Sequence, residues 1–387
     1  MVTVALPRTI FDESHDAFRD TVRQFVAREV VPHMHEWDAA HRVDRSLFRK
    51  AAETGLLGIT APERFGGGGV DDFRFHAIVT EEFARVGATA ASMSIGGEND
   101  LIAPYFIAFG TDEQNEKWLA PMLAGDKVGA IAMTEPGTGS DLAALSTTAR
   151  PDGDHFVVNG AKTFISNGLL ADFVIAAVRT DPEAGRRGIS LLVIDTDTPG
   201  FDRNGPLNKV GLDAQDTAEL FFTDVRVPRA NVLGGEGEGW AHMRHNLPIE
   251  RMSIAITSMA RMRATFDQAL AYATERTAFG ERIADFQANR FYLAELATEI
   301  EVTQTFVDRC ILDAAEHRLD EVTAAMAKWW TTELHQRVIQ RAVQLHGGYG
   351  FMREFGVARD YLDSRVATIF GGTTEIMKEI IGRRLTR

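Results

Sequence analysis

The sequence predicts a mainly α-helical protein with a β domain in its middle, and three observations carry that expectation. Apolar residues recur at spacings of three and four to about residue 125, alternating or continuous β-branched runs take over to about 235, and helical spacing then returns. At 387 residues the chain is long for one core and short for three independent ones, so subdomains sharing interfaces fit: 1–125 helical, 126–235 β, and 236–387 a helical bundle.

In the first segment Phe18, Val22, Phe25, Val26 and Val30 form an apolar stripe, Asp12 and Glu13 suit the first turn, and Pro32 is expected to close the helix. Leu47–Leu57, Asp72–Val86 and Glu113–Leu123 continue the pattern between turn clusters such as ERFGGGG at 63–69. His33, His35 and His41 lie near Glu36, but neighbouring positions point to different sides, so solvated histidines and no metal site are expected. Gly96-Gly97-Glu98-Asn99-Asp100 is a polar run; if it borders a ligand it suits a short or polar group, and otherwise it faces water.

In the second segment HFVVNG, KTFISN, DFVIAAV, GISLLVID and AELFFTDVRVP are broken by Gly, Asn, Asp and Pro and read as strands. No amphipathic helices alternate with them, so a mainly antiparallel sheet is expected. Neither G-x-G-x-x-G after a strand nor a P-loop occurs. In the third segment Met252, Ala255, Met259, Met262, Phe266, Ala269 and Ala273 share one helix face. Leu293, Leu296, Ile300, Thr303, Val307, Cys310 and Ala314 share another, and Asp320–Leu345 makes a third helix, stopped by Gly347 and Gly348.

Composition narrows the function classes. A formal net charge of −14 argues against nucleic acid or an anionic membrane as the main partner. No stretch approaches the ~20 apolar residues of a membrane span, and the N-terminus does not read as a secretory signal. One cysteine, Cys310, forbids an intrachain disulfide and suits a reducing compartment, so a cytoplasmic protein is expected, an organelle location staying open.

The stretch most suggestive of chemistry is MTEPGTGSDL, Met133–Leu142. Pro136 fixes one φ, Gly137 and Gly139 permit positive φ and close approach, and Thr134, Thr138 and Ser140 supply hydroxyls, which suits the edge of a flat polar ligand. Together with KTFISNG (162–168), RTAFG (276–280), QLHGGYGF (344–351) and GGTTEIM (371–377), in this order and spacing, it resembles the acyl-CoA dehydrogenase family along essentially the whole chain. From NLPIERM (246–252) onward the likeness is greatest to the long-chain and isovaleryl branch.

The resemblance implies FAD, α,β-dehydrogenation of an acyl-CoA thioester to a trans-2-enoyl-CoA in fatty acid metabolism, and a C-terminal antiparallel four-helix bundle. A homotetramer passing electrons to an electron-transfer flavoprotein is implied as well. In most of the family a catalytic carboxylate sits on the loop that here reads IFGGT, where this chain has Gly371. The matching base of the long-chain branch is Glu250, which Pro248 is expected to place in a helix's first turn. The Gly371 amide remains an oxyanion donor.

By the same match Met133, Thr134, Gly139, Ser140, Phe164, Ile165 and Ser166 should meet the isoalloxazine. Arg276, Phe279, Gln287, Gln344, His346, Gly347 and Gly348 should meet the diphosphate and adenosine from a neighbouring subunit, and Thr373, Thr374 and Glu375 complete the flavin set. Ser140, Arg251, Gly372 and Arg383 are the substrate candidates. A carrier-protein thioester dehydrogenase, a flavin oxidase or monooxygenase, and a non-catalytic flavin-binding scaffold stand as alternatives.

Overall fold

The computed structural model describes residues 5–386. The first helix, α1 (Glu13–Phe25), starts where Asp12 accepts from the amides of Ser14 and His15. Pro32 does not end the helical path. A π-helical turn (Val26–Val30) and a 3-10 turn (Val31–His33) absorb it, and α2 (Met34–Ala40) follows, because Pro at the second position of a new turn loses no needed N–H. His35 and His41 are exposed and His33 partly so.

The segment continues through α3 (Ser46–Glu53), α4 (Phe73–Arg85), α5 (Thr89–Gly96), a π-helical turn (Gly97–Ile102), α6 (Ala103–Phe109), α7 (Asp112–Gln114), another π-helical turn (Asn115–Leu119) and α8 (Ala120–Leu123). The polar run at 96–100 does not face water: Glu98, Asn99 and Asp100 are buried. Asn99 bridges Leu56 O and Gly58 N, each at 2.7 Å. Glu98 accepts from Gly129 N at 3.1 Å, and burial pushes its carboxyl well above the usual range.

The middle sheet contains β1 (Gly129–Ala132), β2 (Thr148–Asp152), β3 (His155–Ser166), β4 (Phe173–Arg179), β5 (Ile189–Asp195), β6 (Phe201–Asn204) and β7 (Thr217–Pro228). Its order is β1-β4-β2-β3-β7-β6, with β5 also pairing β4. Pairing is mainly antiparallel; β1 and the tip of β2 meet β4 in parallel. HFVVNG and KTFISN are one strand, β3, whose register breaks between Val158 and Gly160 and between Lys162 and Ile165. β4 and β5 are buried on both faces, because α6 and the turn after α7 cover one side through Phe106 and Trp118.

The third segment begins with α9 (Gly239–Glu275), followed by the short hairpin β8 (Thr277–Ala278) and β9 (Glu281–Arg282), α10 (Gln287–Ala315), α11 (Glu321–His346), α12 (Gly356–Asp363) and α13 (Thr374–Leu385). α9, α10 and α11 pack as successive antiparallel neighbours, with α13 along α11. Helix α9 starts thirteen residues before the predicted Met252, with Pro248 inside it. An interior Pro costs about 3 kcal/mol, which burial on both sides of it, at Met243 and Asn246 and at Met252, Ala255 and Ile256, outweighs. Met252, Ala255 and Ile256 join Phe73 and Ala77 of α4, Ile300 and Val307 of α10 and Val338 of α11 in one core, while Met243 packs with Phe106 and Trp118 against the sheet. Cys310 is sealed in it, and burial pushes its thiol up to about 12.

Candidate active site

The loop after β1 is fixed from beneath by Glu135. Its carboxylate accepts from Ser146 N at 2.6 Å, Ser146 Oγ at 2.7 Å, Thr147 N at 2.9 Å and Lys162 Nζ at 2.8 Å. Lys162 also donates to Met133 O at 3.1 Å, and Thr163 N to Thr134 O at 3.0 Å. Lys162 holds Glu135 down to about 2, and burial brings Lys162 down to about 8. Neither Gly137 nor Gly139 takes the positive φ that the sequence suggested; both have empty space where a side chain would stand. Their contribution is access, not conformation.

Across from this loop, Phe164 is 69% exposed with φ 60° at the register break in β3. Left-handed backbone under a bulky side chain is strained, and such strain collects where a ligand is held. The ring stands free to stack on a planar partner.

Between these features, α5, the π-helical turn at Gly97–Ile102 and α9 lies a cavity of about 700 Å³. Met133, Thr134, Gly139, Ser140, Phe164, Ile165, Ser166, Glu250, Arg251, Gly371, Gly372 and Thr373 all line it. Thr373 caps α13, accepting from Ile376 N. Thr374 is buried on Glu333 Oε1 at 2.6 Å and Glu375 points outward; neither lines the cavity. Arg383 is exposed, paired with Glu379 at 2.5 Å, and stands outside the cavity as well.

Arg276, Phe279, Gln287, Gln344, His346, Gly347 and Gly348 belong to the other end of the bundle. Along α9, Glu250 and Arg276 are twenty-six residues apart, about 39 Å at 1.5 Å per residue. One chain therefore does not bring both sets around one ligand. His346 is buried, stacked on Tyr272 at 4.3 Å with Nδ1 on Ala342 O at 2.7 Å.

Glu250 is not in a first turn. It sits in the interior of α9, so no helix terminus stabilises its charge, and it is 8% exposed. Oε1 accepts from Asn246 Nδ2 at 3.0 Å and from Tyr105 OH at 3.3 Å. Burial raises its carboxyl to about 7; Asn246, Tyr105 and Arg251 pull it down and Asp100 pushes it up. A carboxylate poised near neutrality is what proton abstraction needs.

Two buried cations hold the opposing glycine loop: Arg251 Nε lies 3.5 Å from Gly371 O, and Lys328 Nζ donates to Gly372 O at 2.7 Å. Gly371 has φ 63°, and an added Cβ would come 2.5 Å from Ile254 Cδ1. A glutamate there would be strained and would displace Ile254. Gly371→Ala is expected to cost about 1–2 kcal/mol from the backbone conformation alone, measured by chemical denaturation.

Sequence reasoning missed Glu135 and Lys162, although both lie inside quoted motifs, and Tyr105 and Lys328; Asp100 it named only as part of the polar run. Asn246 had a readable signal, since it stands one helical turn before Glu250.

Family comparisons agree along the chain. The acyl-CoA dehydrogenase N-terminal, middle and C-terminal domain models match residues 12–126, 130–225 and 237–386. The chain is 45% identical over 380 residues to the mitochondrial long-chain specific acyl-CoA dehydrogenase of Sus scrofa, covering 98% of this chain and 88% of that protein. It is 36% identical to the caffeyl-CoA reductase-Etf complex subunit CarC of Acetobacterium woodii, covering 97% and 99%. The crystal structure of an acyl-CoA dehydrogenase from Geobacillus kaustophilus superposes with a TM-score of 0.96 at 45% identity, covering 98% and 100%.

Proposed function

The chain belongs to the acyl-CoA dehydrogenase family, and from that premise we propose that Glu250 is the base that removes the α-proton of a long-chain acyl-CoA ester. The protein is an FAD-dependent oxidoreductase that converts an acyl-CoA thioester to its trans-2-enoyl-CoA. The observation that carries the assignment is Glu250 itself: a buried carboxylate, raised to about 7, on the wall of the cavity that Phe164 and the 133–140 loop also border.

Bound FAD supplies the hydride acceptor at the β-carbon. The freestanding Phe164 ring and the open glycine loop fit a flat tricyclic group. Glu250 takes the α-proton into its carboxylate, and the Gly371 amide donates to the thioester oxygen as negative charge gathers there. Arg251 and Lys328 hold the two glycine carbonyls and so keep that amide in place. Ser140, Gly372 and Arg251, which line the cavity, are the proposed contacts of the thioester and its nearer CoA atoms, and Arg383 is left as an outer phosphate contact.

Gly97 supports the choice of a long acyl chain. It lines the cavity on the π-helical turn, and nothing stands within 4 Å of where its Cβ would be. Met93, Thr89 and Thr80 line the same cavity, whose size suits an extended acyl chain, in keeping with the long-chain name of the pig relative. Gly97→Leu is expected to lower kcat/KM for long acyl-CoA esters about 10- to 200-fold while sparing short ones. Anaerobic flavin bleaching by acyl-CoA esters of graded length tests the whole reading. Preference for short esters in the wild type would overturn it. Carrier-protein thioesters in place of CoA esters would reassign the substrate, and rapid reoxidation by air alone would favour an oxidase.

We further propose a homotetramer in a reducing compartment such as the cytoplasm, with an electron-transfer flavoprotein as acceptor. The remote Arg276–Gly348 set, beside Phe279 at 98% and Phe351 at 83% exposure, supports completion of each flavin site by a second chain. The Etf-complex relative supports the acceptor.

A further inference from the structure

We propose that Asn246 and Tyr105 are positioning residues that hold one oxygen of Glu250, Oε1, so that the other, Oε2, is the atom that meets the α-proton. The inference rests on the reading of Glu250 as the base. Asn246 comes from the turn of α9 before Glu250, and Tyr105 from α6, which packs against α9. Both are buried and both reach the same oxygen. Among the described residues Oε2 takes no protein hydrogen bond, yet it is not a sealed unpaired atom, so it stays open to the cavity.

The orientation of Asn246 is over-determined. Its Nδ2 also donates to Asp100 O at 3.1 Å, so both amide hydrogens meet acceptors and the flipped amide would lose both bonds. Tyr105 can only donate here: burial and the neighbouring Glu250 raise its phenol well above its usual range, so it keeps its proton. A glutamate's terminal torsion is broad and two-fold, so without these donors the two oxygens would exchange freely.

The donors also favour the ionised form, against burial and Asp100. The charged groups around Glu250 are Arg251 on its own helix, Asp100 on the π-helical turn with His76 of α4 on its Oδ1 at 2.6 Å, and Glu321 and Lys328 of α11 beyond Arg251. None of them replaces a lost donor on Oε1.

The test is the pH dependence of anaerobic flavin bleaching by a saturating acyl-CoA ester, using holoenzyme carrying Tyr105→Phe or Asn246→Ala. Each variant is expected to keep its FAD and its KM and to move the ascending limb upward by about one pH unit. Rates then fall about tenfold more near pH 6 than near pH 9, where the loss that remains is that of the freed carboxylate. An ascending limb left in place or moved down overturns the proposal, whatever the rate at high pH. Should Asn246→Ala fail to retain FAD, Tyr105→Phe, which removes a single oxygen, decides alone. Glu250→Gln separates the two claims. If it still bleaches, the base assignment falls; if it does not and the limb is unmoved in Tyr105→Phe, only the positioning role falls.

Discussion

Glu250→Gln is expected to retain FAD and to lose anaerobic flavin bleaching by about 10²- to 10⁴-fold, the range a positioned general base supplies. Glutamine keeps the shape of the side chain and an acceptor for Asn246 and Tyr105, so the cavity should stay intact. What it lacks is a basic oxygen. In the wild type the rate should rise with pH through about 7, because burial places the carboxyl there and only the ionised form accepts the proton. Stopped-flow measurement of the oxidised-flavin absorbance reads both effects. Wild-type bleaching in Glu250→Gln would remove the base.

Lys162→Met is expected to destabilise the protein by about 3–5 kcal/mol, because it leaves the buried Glu135 carboxylate without its cation. The apparent melting temperature should fall by several degrees, and FAD should be lost more readily as the 133–140 loop loosens. Glu135→Gln in the same background removes the stranded charge and keeps an acceptor for Ser146 and Thr147, so the double variant should be milder than Lys162→Met alone. The pair also sets an acid limit. Glu135 has a folded value of about 2, below its ordinary 4.5, so its contribution is complete above about 4.5 and fades as pH falls towards 2. A melting temperature that does not decline over that window would contradict the pairing.

The β segment was legible because β4, β5 and β7 are long β-branched runs between turn residues, whereas β2 (TARPD) and β6 (FDRN) carry little apolar signal. Most helices were legible from their stripes. Their ends were misread where proline was taken as punctuation: Pro32 and Pro248 both sit within continuing helical paths, because tertiary burial outweighs local preference. The two readings of the polar run at 96–100 could not be separated in the sequence for a related reason, since its groups are satisfied by Leu56, Gly58, His76 and Gly129, partners far away in sequence. Motif matching brought twelve of the expected residues to one cavity. It gave no account of Tyr105, which no local pattern ties to Glu250.

Because α9 runs unbroken from Gly239 to Glu275, the carboxylate and the β8–β9 hairpin are keyed to one another like teeth on a shaft. Deleting a single residue between them would swing everything beyond the cut by about 100° and draw it in by about 1.5 Å. Length changes are therefore intolerable along this stretch, while the exposed turn near Glu183–Arg187, outside every core, can absorb them.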